Sequence, residues 1–84
     1  MTTLDFDLKF ALETQLELAI GRYNLAIRSY SKDVCIWNEI RFKEARQYLY
    51  GVADTIKYAG YNVFLKYVDI TMYSEIESGT IEKE

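Results

Sequence analysis

The sequence has no histidine and no proline, one cysteine and only four glycines among its 84 residues. The lack of histidine excludes a zinc site built from His and Cys ligands, and any catalytic pair or triad that uses His as its base. A single cysteine excludes an internal disulfide. Because the four glycines are isolated from one another, no glycine-rich phosphate-binding loop is present. We therefore expect no catalytic, cofactor-binding or metal-binding residues, and a protein that is not an enzyme.

Long apolar runs are also missing. No run approaches the roughly 18 apolar residues that span a membrane. The acidic start, Met1 to Asp5, lacks the basic and apolar stretches of a secretory signal. Cys35, which lies between Val34 and Ile36, fits a free thiol in a reducing compartment. These features predict a folded cytoplasmic protein without a membrane segment.

Aromatic residues, in contrast, are abundant: one Trp, eight Tyr and four Phe make up 15% of the chain. A protein of this size buries only about 60% of its unfolded surface, and no disulfide or His/Cys metal site supplements its core. Tyr and Trp suit interfaces because one end of each ring is apolar and the other forms hydrogen bonds. We therefore expect some of these rings at an interface, with a second copy of the chain or with another protein.

The first 30 residues predict one long helix. Apolar residues recur at spacings of three and four from Leu4 to Tyr30, which is the pattern of a helix with one apolar face. Between Leu4 and Leu12, apolar and polar residues also alternate, which is typical of a half-buried strand. The stripe continues to Tyr30 without a break, and this continuity favours the helix.

A second helix is predicted over residues 34–59. The stretch Ser29–Asp33 is the best break in the pattern, and Ser31 or Asp33 can cap the helix that follows by accepting backbone N–H bonds. Gly60 suits the left-handed position that ends a helix. Since the connection between the two helices is short, we expect them to form an antiparallel hairpin.

The last part of the chain is ambiguous. Within residues 61–76, Phe64, Val68, Met72 and Ile76 recur every four residues, as in a helix, but the same segment is rich in alternating β-branched and aromatic residues. A short third helix is slightly favoured over a strand. Residues 77–84 predict a frayed acidic tail.

The fold class predicted from these elements is all-α: a helical hairpin with a short third element, in a single domain of residues 1–76, pairing as a dimeric bundle. The alternative is a small α+β unit. It applies if residues 4–10 and 61–76 are both strands, which would give the order β-α-α-β.

Charge is distributed unevenly along the chain. Residues 1–20 hold four acidic and one basic side chain, residues 21–65 hold seven basic and four acidic ones, and residues 66–84 hold five acidic and two basic ones. A basic middle with interleaved rings is compatible with binding of nucleic acid. The isoelectric point near 4.9 argues against that function.

The sequence therefore favours a non-enzymatic protein-interaction module over a nucleic-acid-binding accessory protein. Its small size and acidic ends are analogous to those of the small regulators or inhibitors that phage and mobile elements produce. Rings would act as anchors and arginine as a bidentate donor in the contact surface. The partner-binding residues that we expect are Tyr23, Tyr30, Trp37, Arg41, Tyr48 and Tyr50.

Overall fold

The computed structural model describes residues 3–69 and 74–83. Two helices are followed by two antiparallel strands that pair as one sheet. The prediction of an all-α fold is therefore wrong, and the α+β alternative is correct in class. The order differs from that alternative as well, because both strands follow the helices. The elements are α1 (Thr3–Lys32), α2 (Ile36–Tyr58), β1 (Tyr61–Asp69) and β2 (Ser74–Lys83).

Helix α1 is continuous over 30 residues, which confirms the helical interpretation of residues 4–10. Helix formation is cooperative, so a short alternating segment joined to a long periodic one extends the helix. The buried side of α1 follows the predicted stripe from residue 12 onward. Its buried residues are Leu12, Leu16, Ala19, Ile20, Tyr23 and Ile27.

The turn between the helices differs from the predicted cap. Cys35 is the N-cap residue of α2, and it makes no side-chain cap hydrogen bond, so the prediction of a cap at Ser31 or Asp33 is wrong. The loop is held instead from within α2: the Asn38 Nδ2 group donates a hydrogen bond of 2.8 Å to the carbonyl oxygen of Asp33. At the other end of α2 the prediction is confirmed, since Gly60 adopts a φ of 94° directly after the C-cap residue Ala59.

Residues 61–69 form strand β1, so the prediction of a third helix is wrong there. Burial alternates along the strand: Tyr61 is buried, Val63 and Leu65 pack against the core, and Phe64 between them is exposed. A helix would have scattered these residues around its circumference. The predicted third element also included residues 70–73, which lie outside the described residues.

Strand β2 replaces the predicted frayed tail over residues 77–83, so that prediction is wrong, while residue 84 lies outside the described residues. Ile81 is buried and pairs with Val63 of β1, which gives this acidic segment an apolar anchor. The register shifts once, between Lys66 and Tyr67, where Glu77 is the extra residue of β2. Sequence periodicity missed this strand because its two large apolar residues, Ile76 and Ile81, are five positions apart and the register shift lies between them, so no alternation is visible.

The core lies between the helical hairpin and the sheet. Helix α1 packs against α2 and β2, and α2 packs also against β1. At Gly79 the sheet lies close to α1: a Cβ at this position would lie 2.8 Å from Ile20 Cδ1 and 3.0 Å from Leu16 Cδ2. The largest fully buried side chains are Leu16, Leu49, Ile56 and Ile76.

Candidate partner-binding groove

The two helices leave a groove between them that is lined by helical residues and not by the described strands. The part near the interhelical turn has a volume of about 640 Å³. We call this part the open groove. It is lined by Arg22, Leu25, Ala26 and Ser29 of α1 and by Arg41, Glu44, Ala45 and Tyr48 of α2.

Beyond Tyr48 the cleft continues toward the start of α1 and the end of α2. This second part has a volume of about 420 Å³, and Tyr48 borders both parts. Its lining is mostly apolar and contains no charged side chain. The residues that complete it are Leu12, Gln15, Gly51, Val52, Thr55 and Ile56. The cleft therefore combines a charged end with an apolar end.

Three of the sequence-predicted binding residues belong to this side of α2. Arg41 and Tyr48 line the open groove, and Trp37 lies one helical turn before Arg41. Trp37 is 70% exposed and Tyr48 is 40% exposed, so both rings are open to a binding partner. The spacing of four and then seven residues places all three on one helix face.

Two guanidinium groups give the open groove its polarity. The Arg22 guanidinium lies over the Tyr48 ring, 4.8 Å from its centroid, and this cation–π contact links the two walls of the groove. Arg41 adds a second positive charge, and Glu44 is the acidic residue of the lining. Arginine binds carboxylates with two parallel hydrogen bonds, so this end of the cleft suits an acidic group.

The structure places Tyr23 and Tyr30 away from the groove. Tyr23 is buried, its hydroxyl donates a hydrogen bond of 3.2 Å to the carbonyl oxygen of Ser74, and its ring lies 5.8 Å from Phe42. The Tyr30 ring stacks on the same Phe42 ring at a centroid distance of 5.9 Å and an angle of 4°. Both rings thus join the helices to each other, and Tyr23 also ties α1 to β2.

Tyr50 is half-exposed on α2 and does not line either part of the cleft as described above. It lies close enough to Tyr23 to influence its titration. Burial raises the pKa of Tyr23, the neighbouring hydroxyls of Tyr67 and Tyr50 raise it further, and the charge of Arg46 opposes them. Of the six predicted residues, Arg41 and Tyr48 line the groove and Trp37 lies beside it, Tyr23 and Tyr30 pack the helices together, and Tyr50 does neither.

Sequence reasoning missed a polar cluster that joins α1 to β2. The Asn24 Nδ2 group donates to the carbonyl oxygen of Ile76 at 2.8 Å, and the Ile76 N–H donates to Asn24 Oδ1 at 3.0 Å. This pair of bonds occupies the backbone of an edge strand that would otherwise be open to another chain. Its partners are 52 residues apart in sequence, so no local pattern could have indicated it.

An ion pair completes this cluster. Arg28 Nε and Nη2 donate to the two carboxylate oxygens of Glu75 at 2.6 and 2.8 Å, while the Glu75 side chain is only 7% exposed. These hydrogen bonds lower the pKa of Glu75, burial opposes the shift, and the positive charge of Arg28 adds to it. The same contact raises the pKa of Arg28. This ion pair joins α1 to β2, and its two charges neutralise each other. Its role is therefore structural.

Within residues 3–69 and 74–83, no group of acidic or cysteine side chains is arranged to hold a metal ion. Over the same ranges, neither helix has an apolar stretch long enough to cross a membrane. Comparison of the chain with models of protein families, with curated proteins and with solved structures found no match, so its function has to be inferred from its own geometry.

Proposed function

We propose that the protein is a non-enzymatic, cytoplasmic protein-interaction module that binds a partner protein through the open groove. The observation that carries this proposal is the combination of large exposed apolar side chains with two arginines in one cleft. Leu25 and Tyr48 line the cleft, and the exposed Trp37 lies one helical turn before Arg41 on the same helix face. Residues of these kinds, Trp, Tyr and Arg above all, dominate the binding energy of protein interfaces.

The shape and charge of the cleft favour a helical partner segment. A groove between two helices accepts a third helix that lays its apolar face into it. The apolar part beyond Tyr48 and the arginines Arg22 and Arg41 together match an amphipathic helix with an acidic end. A small regulator or inhibitor acts by covering a surface of its partner, and it needs no catalytic residues for this. We propose this role for the protein.

Nucleic-acid binding is the second candidate, because Arg22 stacked on Tyr48 beside Arg41 offers both phosphate and base contacts. Glu44 within the same lining and a net charge of −3 disfavour it. The salt dependence of binding separates the two candidates. Retention on DNA or RNA that falls steeply with salt would favour nucleic acid over protein.

The experiment uses a photo-crosslinking amino acid placed at Trp37, beside the groove, in cells that make the protein. The matched position is Tyr58, which is 93% exposed and lies outside the groove. We expect one protein to be crosslinked at residue 37 and not at residue 58. Crosslinking of the same proteins from both positions, or of nucleic acid alone, would contradict the proposal.

Two matched tyrosine variants then test the groove with the purified partner. Tyr48→Ala removes the ring that borders both parts of the cleft, and Tyr58→Ala removes an exposed ring elsewhere on the same helix. We expect Tyr48→Ala to weaken binding about tenfold or more, as loss of an anchor ring does. Tyr58→Ala should bind like the unaltered chain, and equal effects of the two variants would place the interface elsewhere.

A further inference from the structure

Helix α1 carries a second stripe on the side opposite its buried face. Starting at residue 7, its members are separated alternately by four and three residues, which is the spacing of a coiled-coil seam. All eight are exposed. We call this set the outer stripe, and it consists of Asp7, Ala11, Thr14, Leu18, Gly21, Leu25, Arg28 and Lys32.

The described residues of the chain do not cover the apolar centre of this stripe. Leu18 is 58% exposed and Leu25 is 65% exposed. Between them, a Cβ built on Gly21 would meet no atom within 4 Å. Glycine inside a helix is destabilising relative to alanine, and nothing within the described fold requires one at this position.

The outer stripe is complementary to itself when it is reversed. A two-fold axis between Leu18 and Gly21 places large residues opposite small ones: Leu18 opposite Gly21, and Leu25 opposite Thr14. The same axis places Asp7 opposite Lys32, so an acid meets a base at each end. The Arg28 stem lies opposite Ala11, and its guanidinium stays bound to Glu75. We infer that a second copy of the chain packs its α1 antiparallel against the outer stripe.

The parallel alternative lacks this complementarity. It would set Asp7 against Asp7 and Lys32 against Lys32, and it would leave a gap where two Gly21 residues meet. The charges that flank the outer stripe also avoid repulsion in the antiparallel arrangement. Glu17 lies near Asn24 of the other copy, and Arg22 lies near its Gln15. The contact is isologous and closed, so it yields a dimer and not a fibre. It shares Leu25 with the lining of the open groove and goes beyond the function proposed for that groove.

The first test is the mass of the protein in solution, measured by sedimentation over a wide range of concentration. We expect a reversible dimer. Leu18→Glu should raise its dissociation constant about tenfold or more, because the charge would be buried against Gly21 of the other copy. Val34→Glu, at an exposed valine outside α1, should leave the dimer unchanged. Circular dichroism of both variants checks that the helices are retained.

The second test reports the direction of the helices. Asp7→Lys and Lys32→Asp should each weaken the dimer, and the double variant should restore it. In a Cys35→Ser background, Asp7→Cys together with Lys32→Cys should give a disulfide-linked dimer on oxidation. These two positions lie about 37 Å apart along one helix, so they cannot join within one chain.

Three results would overturn the inference. The first is a single-copy mass at every concentration. The second is a dimer that Leu18→Glu does not weaken. The third is efficient linkage through Asp7→Cys alone, which would indicate parallel helices. None of these results bears on crosslinking at Trp37, so the two proposals can fail separately.

Discussion

The two sides of α1 carry similar residues in very different surroundings. Leu16 is 1% exposed and lies under Gly79 of β2, whereas Leu18, two positions later, is exposed. On the inner side, Asn24 and Tyr23 also bond to the backbone of β2. On the outer side the described residues leave the apolar centre uncovered. The comparison teaches that leucines of the same helix are buried on one side and left exposed by the described residues on the other.

The largest expected effect on stability comes from replacing a leucine by alanine on each side of α1 and comparing the two losses. Leu16→Ala should lower the free energy of unfolding by about 2–5 kcal/mol, because it leaves a cavity in the core. Leu25→Ala should change it by no more than about 0.5 kcal/mol at protein concentrations low enough for a single copy. Urea denaturation of both variants measures the difference. Similar losses in the two variants would show that the outer side is also packed within one chain.

A smaller effect is expected from the polar contacts of the inner side. Asn24→Leu removes both hydrogen bonds to Ile76 and leaves the backbone N–H and C=O groups of Ile76 without a partner. The free energy of unfolding should fall by about 1–3 kcal/mol. Asn24→Asp keeps the acceptor for the Ile76 N–H but sets a carboxylate oxygen against the Ile76 carbonyl oxygen, so it should not recover the loss. Denaturant midpoints of the two variants give the comparison. A neutral Asn24→Leu would mean that water replaces the amide without cost.

The smallest expected effect depends on pH. Arg28 lowers the pKa of Glu75 in the folded state, so the unfolded chain binds the proton more readily. The stabilisation is therefore complete above the ordinary value of 4.5 and is lost as pH falls through the lowered pKa. Glu75→Gln should have a lower free energy of unfolding than the unaltered chain at neutral pH. The difference between the two should become smaller in acid, as Glu75 is protonated. Glu77→Gln, at an exposed carboxylate, is the control. A gap that is independent of pH would exclude this origin.

The helices were predictable because their signals are local. Spacings of three and four defined α1, and Gly60 marked the end of α2 where the structure has it. The sheet was not predictable to the same degree, since the pattern of residues 61–69 slightly favours a helix although they form a strand. Their choice depends on pairing with residues 74–83, and no local pattern encodes that pairing.

The candidate site was only partly predictable for a related reason. The shared face of Trp37, Arg41 and Tyr48 follows from their spacing alone. Whether a tyrosine on α1 faces the core or the solvent depends on where α2 and the sheet pack, so Tyr23 and Tyr30 could not be assigned. The bond between Asn24 and Ile76 joins segments whose only relation is tertiary.

The hydrogen bonds between α1 and β2 have a consequence for biosynthesis. They link residues 47 to 52 positions apart, the first helix to the last strand. A nascent chain can form its helical hairpin early, but Ile76 and Ile81 reach the core only after β2 has left the ribosome. Until then the apolar helix surfaces that pack against the sheet are exposed to solvent. A chain in this state is prone to aggregation and to binding by chaperones. The synthesis of β2 therefore determines when the sheet-facing sides of the two helices become covered.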